Sequence, residues 1–213
     1  MHDHEHDHRQ DNAHASIADT HGDSHYEKRA TAIIALLIEK GLVTADEVRR
    51  AIEQMDERTP ALGAKVVARA WVDPAFKARL LTDAKSACTE VGVDAGTLAH
   101  IVALENTDTV HNVVVCTLCS CYPRSILGLP PDWYKSLSYR SRVVKAPRDV
   151  LHEFGLDLPL DVEVRVYDST ADMRYLVIPA RPPGTKNLSE TELATLVTRD
   201  SMIGVAKART PEQ

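Results

Sequence analysis

The sequence predicts an α+β fold with a disordered tail at residues 1–25, a helical arm at residues 26–95 and an α+β domain at residues 96–213. Three observations predict this organisation. The tail holds seven of the ten histidines among acidic residues and has no apolar period, which is typical of disorder. Up to Gly92, apolar runs are closed by glycine or proline, which is typical of helices. After Gly96, β-branched runs and alternating apolar residues indicate strands, and helices followed by mixed elements indicate the α+β class.

Four helices are predicted for the arm. They span about residues 26–40, 45–58, 62–71 and 74–91. Gly41 closes the first helix. Thr44 and Glu47, three residues apart, form a capping box that begins the second, and Asp73 before a proline begins the last. The first two helices can hardly bury their apolar faces on each other alone, so we expect a partner surface to cover them.

The domain is predicted to combine strands with helices. The strands span residues 113–115, 162–166 and 174–178, with a further short one at residues 202–205. Because only residues 167–173 separate the second and third strands, we expect these two to form an antiparallel hairpin with a loose loop. Helices are expected at residues 147–154 and at residues 190–198, the latter begun by a capping box of Ser189 and Glu192.

Three of the four cysteines, Cys116, Cys119 and Cys121, lie within six residues. Thiolates are soft, strong metal ligands, so the cluster is a candidate site for one ion. If the sulfurs of Cys119 and Cys121 bind the same metal, the amide nitrogens of Ser120 and Cys121 lie between them and would close fused chelate rings. Cys116 would then cap the chelate from one side and leave the opposite position open. Cys88 stands apart and is expected to pack in a helix as a small apolar residue.

Other kinds of cysteine site are alternatives to this one. Structural zinc normally needs four protein ligands, and His111 would lie ~15 Å upstream on a strand that rises ~3.3 Å per residue. A redox pair of Cys116 and Cys119 would leave Cys121 unexplained, and no helix start follows it to lower the pKa of a thiol. A metal-storage module is the other non-enzyme alternative, which metal analysis would separate from an enzyme.

The cysteine cluster and its flanks carry a family resemblance. Residues 115–123, Val-Cys-Thr-Leu-Cys-Ser-Cys-Tyr-Pro, resemble the metal claw of the nitrile hydratase α subunit in its cobalt version, whereas the iron version typically has Ser at the position of Thr117. Further similar segments span residues 70–74, 127–131, 133–136, 139–142, 167–169 and 199–205. The resemblance covers about residues 26–206 and extends to the γ subunit of thiocyanate hydrolase, a sister with the same claw. It implies a layered α-β-β-α catalytic domain behind the helical arm.

The resemblance also implies the chemistry of the claw. It implies one trivalent cobalt ion (Co³⁺) per claw, with iron the less expected metal. Cys116 would be an unmodified axial thiolate, Cys119 a cysteine sulfinic acid and Cys121 a cysteine sulfenic acid. The backbone nitrogens of Ser120 and Cys121 would complete the protein ligands. The metal would act as a Lewis acid in the hydration of a nitrile to the amide, with either water or the sulfenate oxygen attacking.

Four charged residues are further site candidates. Three match charged positions that the family has near its active site and subunit interface: Asp168, Asp172 and Arg174. Arg124 stands where most nitrile hydratases have a Trp that forms an apolar wall, whereas thiocyanate hydrolase has Arg there. A cation suits an anionic substrate, so hydrolysis of thiocyanate to carbonyl sulfide and ammonia is the alternative function. Residues 126–135 and 139–144 resemble nitrile hydratase more closely, so we expect a nitrile hydratase with an unusually polar pocket.

Composition and resemblance together limit the classes of partner that the chain is expected to have. A net charge of −6 argues against nucleic acid and anionic membranes as partners. No apolar run approaches the ~20 residues of a membrane helix, and the first eight residues do not form a signal peptide, so a cytoplasmic location is expected. The resemblance implies a β subunit in an αβ, α2β2 or three-chain assembly, two β-subunit arginines that bind the oxidised sulfurs, and an activator protein that inserts cobalt.

Overall fold

The computed structural model of the chain describes residues 25–96, 99–119 and 121–211. Of the sequence predictions, those for residues 1–24 and for Ser120 therefore lie outside the described residues. The helices, in chain order, are α1 (His25–Glu39), α2 (Ala45–Asp56), α3 (Pro60–Val72), α4 (Pro74–Thr82), α5 (Ala84–Glu90), α6 (Arg124–Leu127), α7 (Asp132–Lys135), α8 (Leu137–Arg142), α9 (Pro147–Glu153), α10 (Glu190–Leu196) and α11 (Arg199–Ile203). The strands are β1 (His100–Glu105), β2 (Val110–Val115), β3 (Glu163–Asp168) and β4 (Met173–Ile178).

The first two helices, α1 and α2, contain no buried residue. Their ends agree with the sequence prediction: Gly41 follows α1 with a φ of +66°, and Thr44 and Glu47 form the predicted capping box, with amide-to-side-chain distances of 3.1 and 2.7 Å. Apolar side chains on both helices stay exposed, including Leu36 at 51% and Ile52 at 53%. The two helices are therefore held by local hydrogen bonds and not by burial in the core of this chain.

The buried core begins at α3. This helix packs against α10, and α4 packs against β1. Asp73 caps α4 by accepting a hydrogen bond from Phe76 N at 2.9 Å. The prediction of one helix over residues 74–91 is wrong in one respect, because Asp83 accepts from Ser86 N at 3.1 Å and so begins a separate helix, α5. Cys88 lies fully buried in α5, as predicted, and this burial raises the pKa of its thiol to about 11.

The four strands form two parallel pairs, β1 with β4 and β2 with β3. The predicted antiparallel hairpin of the third and fourth strands is therefore wrong: after β3 the chain crosses to the other pair. The two pairs contact each other through β2, which lies against β4 and β1, and helices α3, α4, α5, α9 and α11 contact the strands. The predicted layered α+β class is confirmed. The parallel register places Val115 beside Asp168, so that β2 and β3 end together.

Residues 199–203 form a helix, α11, and not the short strand predicted at residues 202–205. Thr198 Oγ1 accepts a hydrogen bond from Ser201 N at 3.1 Å and begins α11. Gly204 ends this helix with a φ of +93°. A Cβ at Gly204 would overlap the carbonyl oxygen of Asn112 in β2, so the close approach of α11 to the strand requires glycine.

A single large buried cluster joins α3, α4 and α5 to the strands and to the segment that follows the cysteines. Three side chains that link parts of this core are Phe76, Tyr134 and Leu176, all with less than 2% of their surface exposed. Across residues 25–96, 99–119 and 121–211, no helix has both the length and the apolar character needed to span a membrane.

Candidate metal centre

The three clustered cysteines follow directly from strand β2. Residues 113–115 of this strand are buried, and Cys116, the next residue, has no exposed surface. The chain then turns outward, so that Cys119 is exposed and Cys121 half-buried. A rigid buried strand thus ends in a short functional loop, an arrangement that fixes the first ligand and leaves the others facing a cavity.

The sulfur atoms of the three cysteines converge on one point. The Sγ atoms of Cys116 and Cys119 are 3.4 Å apart, and those of Cys119 and Cys121 are 3.1 Å apart. With metal–sulfur bonds of about 2.3 Å, two sulfurs lie about 3.3 Å apart at a right angle and about 3.8 Å apart at a tetrahedral angle. These two separations are closer to the right-angle value of a square or octahedral ligand set than to the tetrahedral value.

The electrostatics of the cluster also favour a cation. Burial, followed by hydrogen bonds from the neighbouring thiols of Cys119 and Cys116, raises the pKa of the Cys121 thiol to about 12. Without a positive ion the Cys121 thiol would therefore stay protonated at neutral pH. Three thiols packed at these distances become a favourable arrangement once a cation converts them to thiolates, so the donor set fits a soft or borderline metal ion.

His111 does not supply a fourth ligand. Its Nε2 lies 2.7 Å from the carbonyl oxygen of Gly204, and its Nδ1 lies 3.2 Å from Asn106 Nδ2. Both ring nitrogens are thus used inside the core, five residues before Cys116. This agrees with the sequence argument against structural zinc, which needs four protein ligands.

Two charged side chains hold the backbone of the claw loop. Asp168, at the end of β3, accepts hydrogen bonds from Thr117 N at 2.9 Å and from Thr117 Oγ1 at 2.5 Å. Arg140 donates from Nε to the carbonyl oxygen of Cys116 at 2.9 Å and from a terminal nitrogen to that of Thr117 at 2.6 Å. Charge-assisted hydrogen bonds of this kind are stronger than neutral ones. The peptide units on both sides of Thr117 are therefore fixed before any metal binds.

Aromatic side chains also hold the claw loop, through hydrogen bonds from their hydroxyl groups to its backbone and to β2. Tyr134 O–H donates to the carbonyl oxygen of Cys121 at 2.9 Å, and Tyr139 O–H donates to that of Val114 at 2.7 Å. Tyr134 packs edge-to-face on Tyr122, with ring centroids 5.2 Å apart. Burial raises the pKa of all three phenols, so they stay neutral: Tyr134 and Tyr139 act as hydrogen-bond donors and Tyr122 as a packing group.

A cavity of about 510 Å³ opens beside the claw. Cys119 and Cys121 line it together with Arg124 and Arg174, so the structure brings these two predicted site residues to the cysteines. The Arg174 guanidinium donates to the carbonyl oxygens of Thr170 and Met173. It also lies close enough to Cys121 to lower the pKa of that thiol in part, against the larger effect of burial.

Asp172, the remaining candidate, lies elsewhere. It is exposed, its backbone carbonyl accepts from His100 N at 2.8 Å, and it is not among the residues that line the cavity. Of the two predicted carboxylates, it is Asp168 that binds the claw loop.

Sequence reasoning missed four residues that the structure places at the site. Arg140 and Tyr134 lie in segments that resemble the family, but their contacts with claw carbonyls have no local signature. Arg58, just after α2, and Asp94, in the loop before β1, line the cavity although both are distant from the cysteines in sequence. Only the tertiary arrangement reveals them.

Comparisons with known proteins agree with this geometry. The family model described as nitrile hydratase, alpha chain, matches residues 24–206. The chain is 56% identical over 190 residues to the low-molecular weight cobalt-containing nitrile hydratase subunit alpha of Rhodococcus rhodochrous, covering 87% of this chain and 90% of the relative. It is 44% identical over 194 residues to the thiocyanate hydrolase subunit gamma of Thiobacillus thioparus, covering 86% and 80%. A double mutant of the Fe-type nitrile hydratase from Comamonas testosteroni Ni1 is similar with a TM-score of 0.81 and 47% identity, covering 87% of this chain and 91% of that one.

Proposed function

The chain belongs to the nitrile hydratase α-chain family, and we propose that it is the metal-bearing subunit of a cobalt-dependent nitrile hydratase that converts a nitrile to the amide at a centre shared with a β subunit. The observation that carries this proposal is the convergence of Cys116, Cys119 and Cys121, with sulfur separations of 3.1 and 3.4 Å beside a cavity. The 56% identity to a cobalt-containing relative supports the same function.

The three cysteine sulfurs would hold the metal, and the family resemblance adds the backbone nitrogens of Ser120 and Cys121. When bound, a trivalent metal supplies Lewis-acid chemistry: it polarises a nitrile or lowers the pKa of a water molecule. The residues of this chain prepare that chemistry by position. Cys116 is fixed in the core directly after β2, whereas Cys119 and Cys121 line the cavity, where a substrate can enter.

Asp168, Arg140 and Tyr134 would keep the ligand set in place during turnover. Each binds a backbone group of the claw loop, at 2.9 Å for Thr117 N, 2.9 Å for the Cys116 carbonyl and 2.9 Å for the Cys121 carbonyl. Residues that orient metal ligands commonly change metal affinity by about 10–100-fold when they are removed. We therefore assign them positioning roles and not contact with the substrate.

The family resemblance supports oxidation of two ligands. Cys119 would become a sulfinate by addition of both atoms of one dioxygen molecule to its thiolate. Cys121 would become a sulfenate by transfer of one oxygen from a peroxide, which leaves as water. Both products are anionic hydrogen-bond acceptors and need cations nearby. Arg174, beside Cys121, supplies one positive charge from this chain, and arginines of the β subunit would supply the others.

Cobalt is the proposed metal, in the trivalent state, with iron the less favoured ion. Thr117 is the residue that the cobalt version of the claw carries, and the 56% identical relative is cobalt-containing. The similar Fe-type structure shows that this fold also accommodates iron. Metal analysis of the complex made with both ions supplied would decide between them.

A partner chain is supported by the exposed apolar side chains of α1 and α2. Ile33, Leu36 and Ile52 are each more than half exposed, and surfaces of this kind mark protein interfaces. We propose that a β subunit covers them in an αβ or α2β2 assembly, with a three-chain assembly as the variant found in the thiocyanate hydrolase sister. An activator protein would load the metal.

Thiocyanate hydrolysis is the second candidate function, and Arg124 is the observation that favours it. This cation lines the cavity beside Cys119 and Cys121, and the thiocyanate hydrolase γ subunit is 44% identical to the chain. Nitrile hydration ranks first because cobalt-containing nitrile hydratase relatives are more similar, at 56% and 52% identity.

The test is one assay panel on the reconstituted, cobalt-loaded complex. The substrates are an aliphatic nitrile, an aromatic nitrile, a polar heterocyclic nitrile and thiocyanate. We expect a nitrile to give the highest kcat/KM, and Arg124→Trp to shift preference toward apolar nitriles. Thiocyanate as the best substrate by kcat/KM would overturn the ranking.

A further inference from the structure

The cavity beside the claw has an unbalanced set of charges. Three arginines line it, Arg58, Arg124 and Arg174, together with a single carboxylate, Asp94. Asp94 is already engaged, because one of its carboxylate oxygens accepts a hydrogen bond from Gly96 N at 2.8 Å. The described wall of the cavity is therefore formally positive, which raises the local concentration of anions.

Two of the three guanidinium groups are available to a bound molecule. Arg174 is occupied, since it donates to the carbonyl oxygens of Thr170 and Met173. The side chains of Arg58 and Arg124 form no hydrogen bond or ion pair with other residues in the described ranges, and both are exposed to the cavity. Guanidinium groups bind carboxylates with paired N–H donors, which gives both affinity and orientation.

The backbone segments that carry these two arginines pack directly against each other. Arg124 begins α6, and Gly128 ends that helix, with its amide bound to the Arg124 carbonyl at 3.1 Å. A Cβ at Gly128 would overlap the carbonyl oxygen of Arg58, so the chain after α2 lies directly on the turn after α6. Arg58 is therefore placed by a close backbone contact, although it comes from the end of an otherwise unburied helical segment.

We propose that Arg58, together with Arg124, binds a carboxylate on the substrate, so that the complex prefers nitriles that carry a negative charge away from the nitrile group. This inference rests on the proposed nitrile hydratase function and specifies its substrate class. Cys119, Cys121 and the two arginines line the same cavity, so a cyano acid would place its nitrile group at the claw and its carboxylate at the arginines. Arg58 is a substrate-binding residue that no feature of the local sequence indicates.

The kinetic test uses a matched pair of substrates, 3-cyanobenzoate and benzonitrile, on the cobalt-loaded complex. We expect wild-type enzyme to favour the anion, and Arg58→Gln to lower kcat/KM for 3-cyanobenzoate about tenfold more than for benzonitrile, mainly through KM. Arg49→Gln is the control, because Arg49 is held by Glu53 on α2 at 2.7 Å and does not line the cavity. Equal losses for both substrates in Arg58→Gln, or an unchanged ratio, would overturn the proposal.

A binding measurement separates this proposal from the proposed function. Benzoate is titrated calorimetrically into the metal-free complex, where only protein groups can bind it. We expect Arg58→Gln to weaken binding about tenfold relative to wild type and Arg49→Gln to leave it unchanged. If the loaded enzyme hydrates no nitrile but Arg58→Gln still weakens benzoate binding, the proposed function fails and the carboxylate site stands. If nitriles are hydrated but benzoate binds wild type and Arg58→Gln equally, only the carboxylate site fails.

Discussion

The core that carries the claw and the first two helices are stabilised in different ways. The core that carries the claw buries β2 and the second half of β4, fixes the claw loop with charge-assisted hydrogen bonds and requires a glycine where α11 meets β2. The first two helices bury no residue and keep their apolar side chains exposed. The difference indicates a division of tasks: the core is complete enough to preorganise a metal site, whereas α1 and α2 are shaped for another surface.

Two glycine substitutions sharpen this comparison most. Gly204→Ala should lower the free energy of unfolding by about 3 kcal/mol or more, because a methyl group would overlap Asn112 and φ is +93°. Gly41→Ala should cost only about 1 kcal/mol, since its φ of +66° is similar but nothing lies within 4 Å. Urea unfolding of the metal-free chain measures both. Equal losses would show that the close contact between α11 and β2 does not matter.

Substitutions on the first helix should change binding to the β subunit and not the stability of the isolated chain. Ile33→Ser with Leu36→Ser should leave the unfolding of the isolated chain nearly unchanged, because both side chains are more than half exposed. The same pair should weaken association with the β subunit by about 100-fold or more, since each apolar side chain buried at an interface contributes about 1.5–3 kcal/mol. Leu160→Ser, at an exposed leucine outside the first two helices, is the control. Unchanged affinity in the double variant would remove the proposed interface.

Asp168→Asn tests how the core supports the claw. It removes the charge that holds Thr117 N and Oγ1, so we expect cobalt to dissociate about 10–100-fold faster into a chelator. Asp172→Asn, four residues later and absent from the cavity wall, should match wild type. Faster loss in Asp172→Asn than in Asp168→Asn would reverse the assignment of these two carboxylates.

Two histidines should give opposite pH effects on stability. Burial, and to a lesser extent the charge of Lys207, lowers the pKa of His111 below 6.5, so its contribution to stability falls as pH drops from 7 toward 5, where the unfolded chain binds the proton first. Asp157 raises the pKa of exposed His152, so its contribution is full below 6.5 and is lost as pH rises through the folded-state value. Unfolding of His111→Gln and His152→Gln across pH 5–8 checks both signs; the same sign for both would contradict the assignment.

Local signals in the sequence predicted local structure well. The capping boxes at Thr44 and Ser189 and the helix end at Gly41 are all present, because each depends on residues a few positions apart. The cysteine cluster was likewise predictable, since its three sulfurs belong to one short segment. Features that depend on a few neighbouring residues, such as helix caps and the cysteine cluster, can therefore be predicted from the sequence.

The errors concern partners that lie far apart in the chain. Alternation predicted β3 and β4 as strands, but it carries no information on which strand each pairs with, and both pair in parallel elsewhere. The apolar residues 202–205 suit a buried strand and a buried helix equally, and the Thr198 cap was the missed local signal. The roles of Arg140 and Arg58 depend wholly on tertiary contacts.

The cobalt content of purified αβ complexes tests the central claim most directly. The account predicts one cobalt per α chain in wild type and in Cys88→Ala, whose thiol is buried in α5 away from the claw. It predicts loss of the metal in Cys116→Ser, Cys119→Ser and Cys121→Ser, because each sulfur belongs to the same ligand set. Mass spectrometry of the wild-type complex should show two added oxygens on Cys119 and one on Cys121. Claw variants that retain full cobalt, or an active wild-type complex that holds stoichiometric zinc instead, would contradict the account.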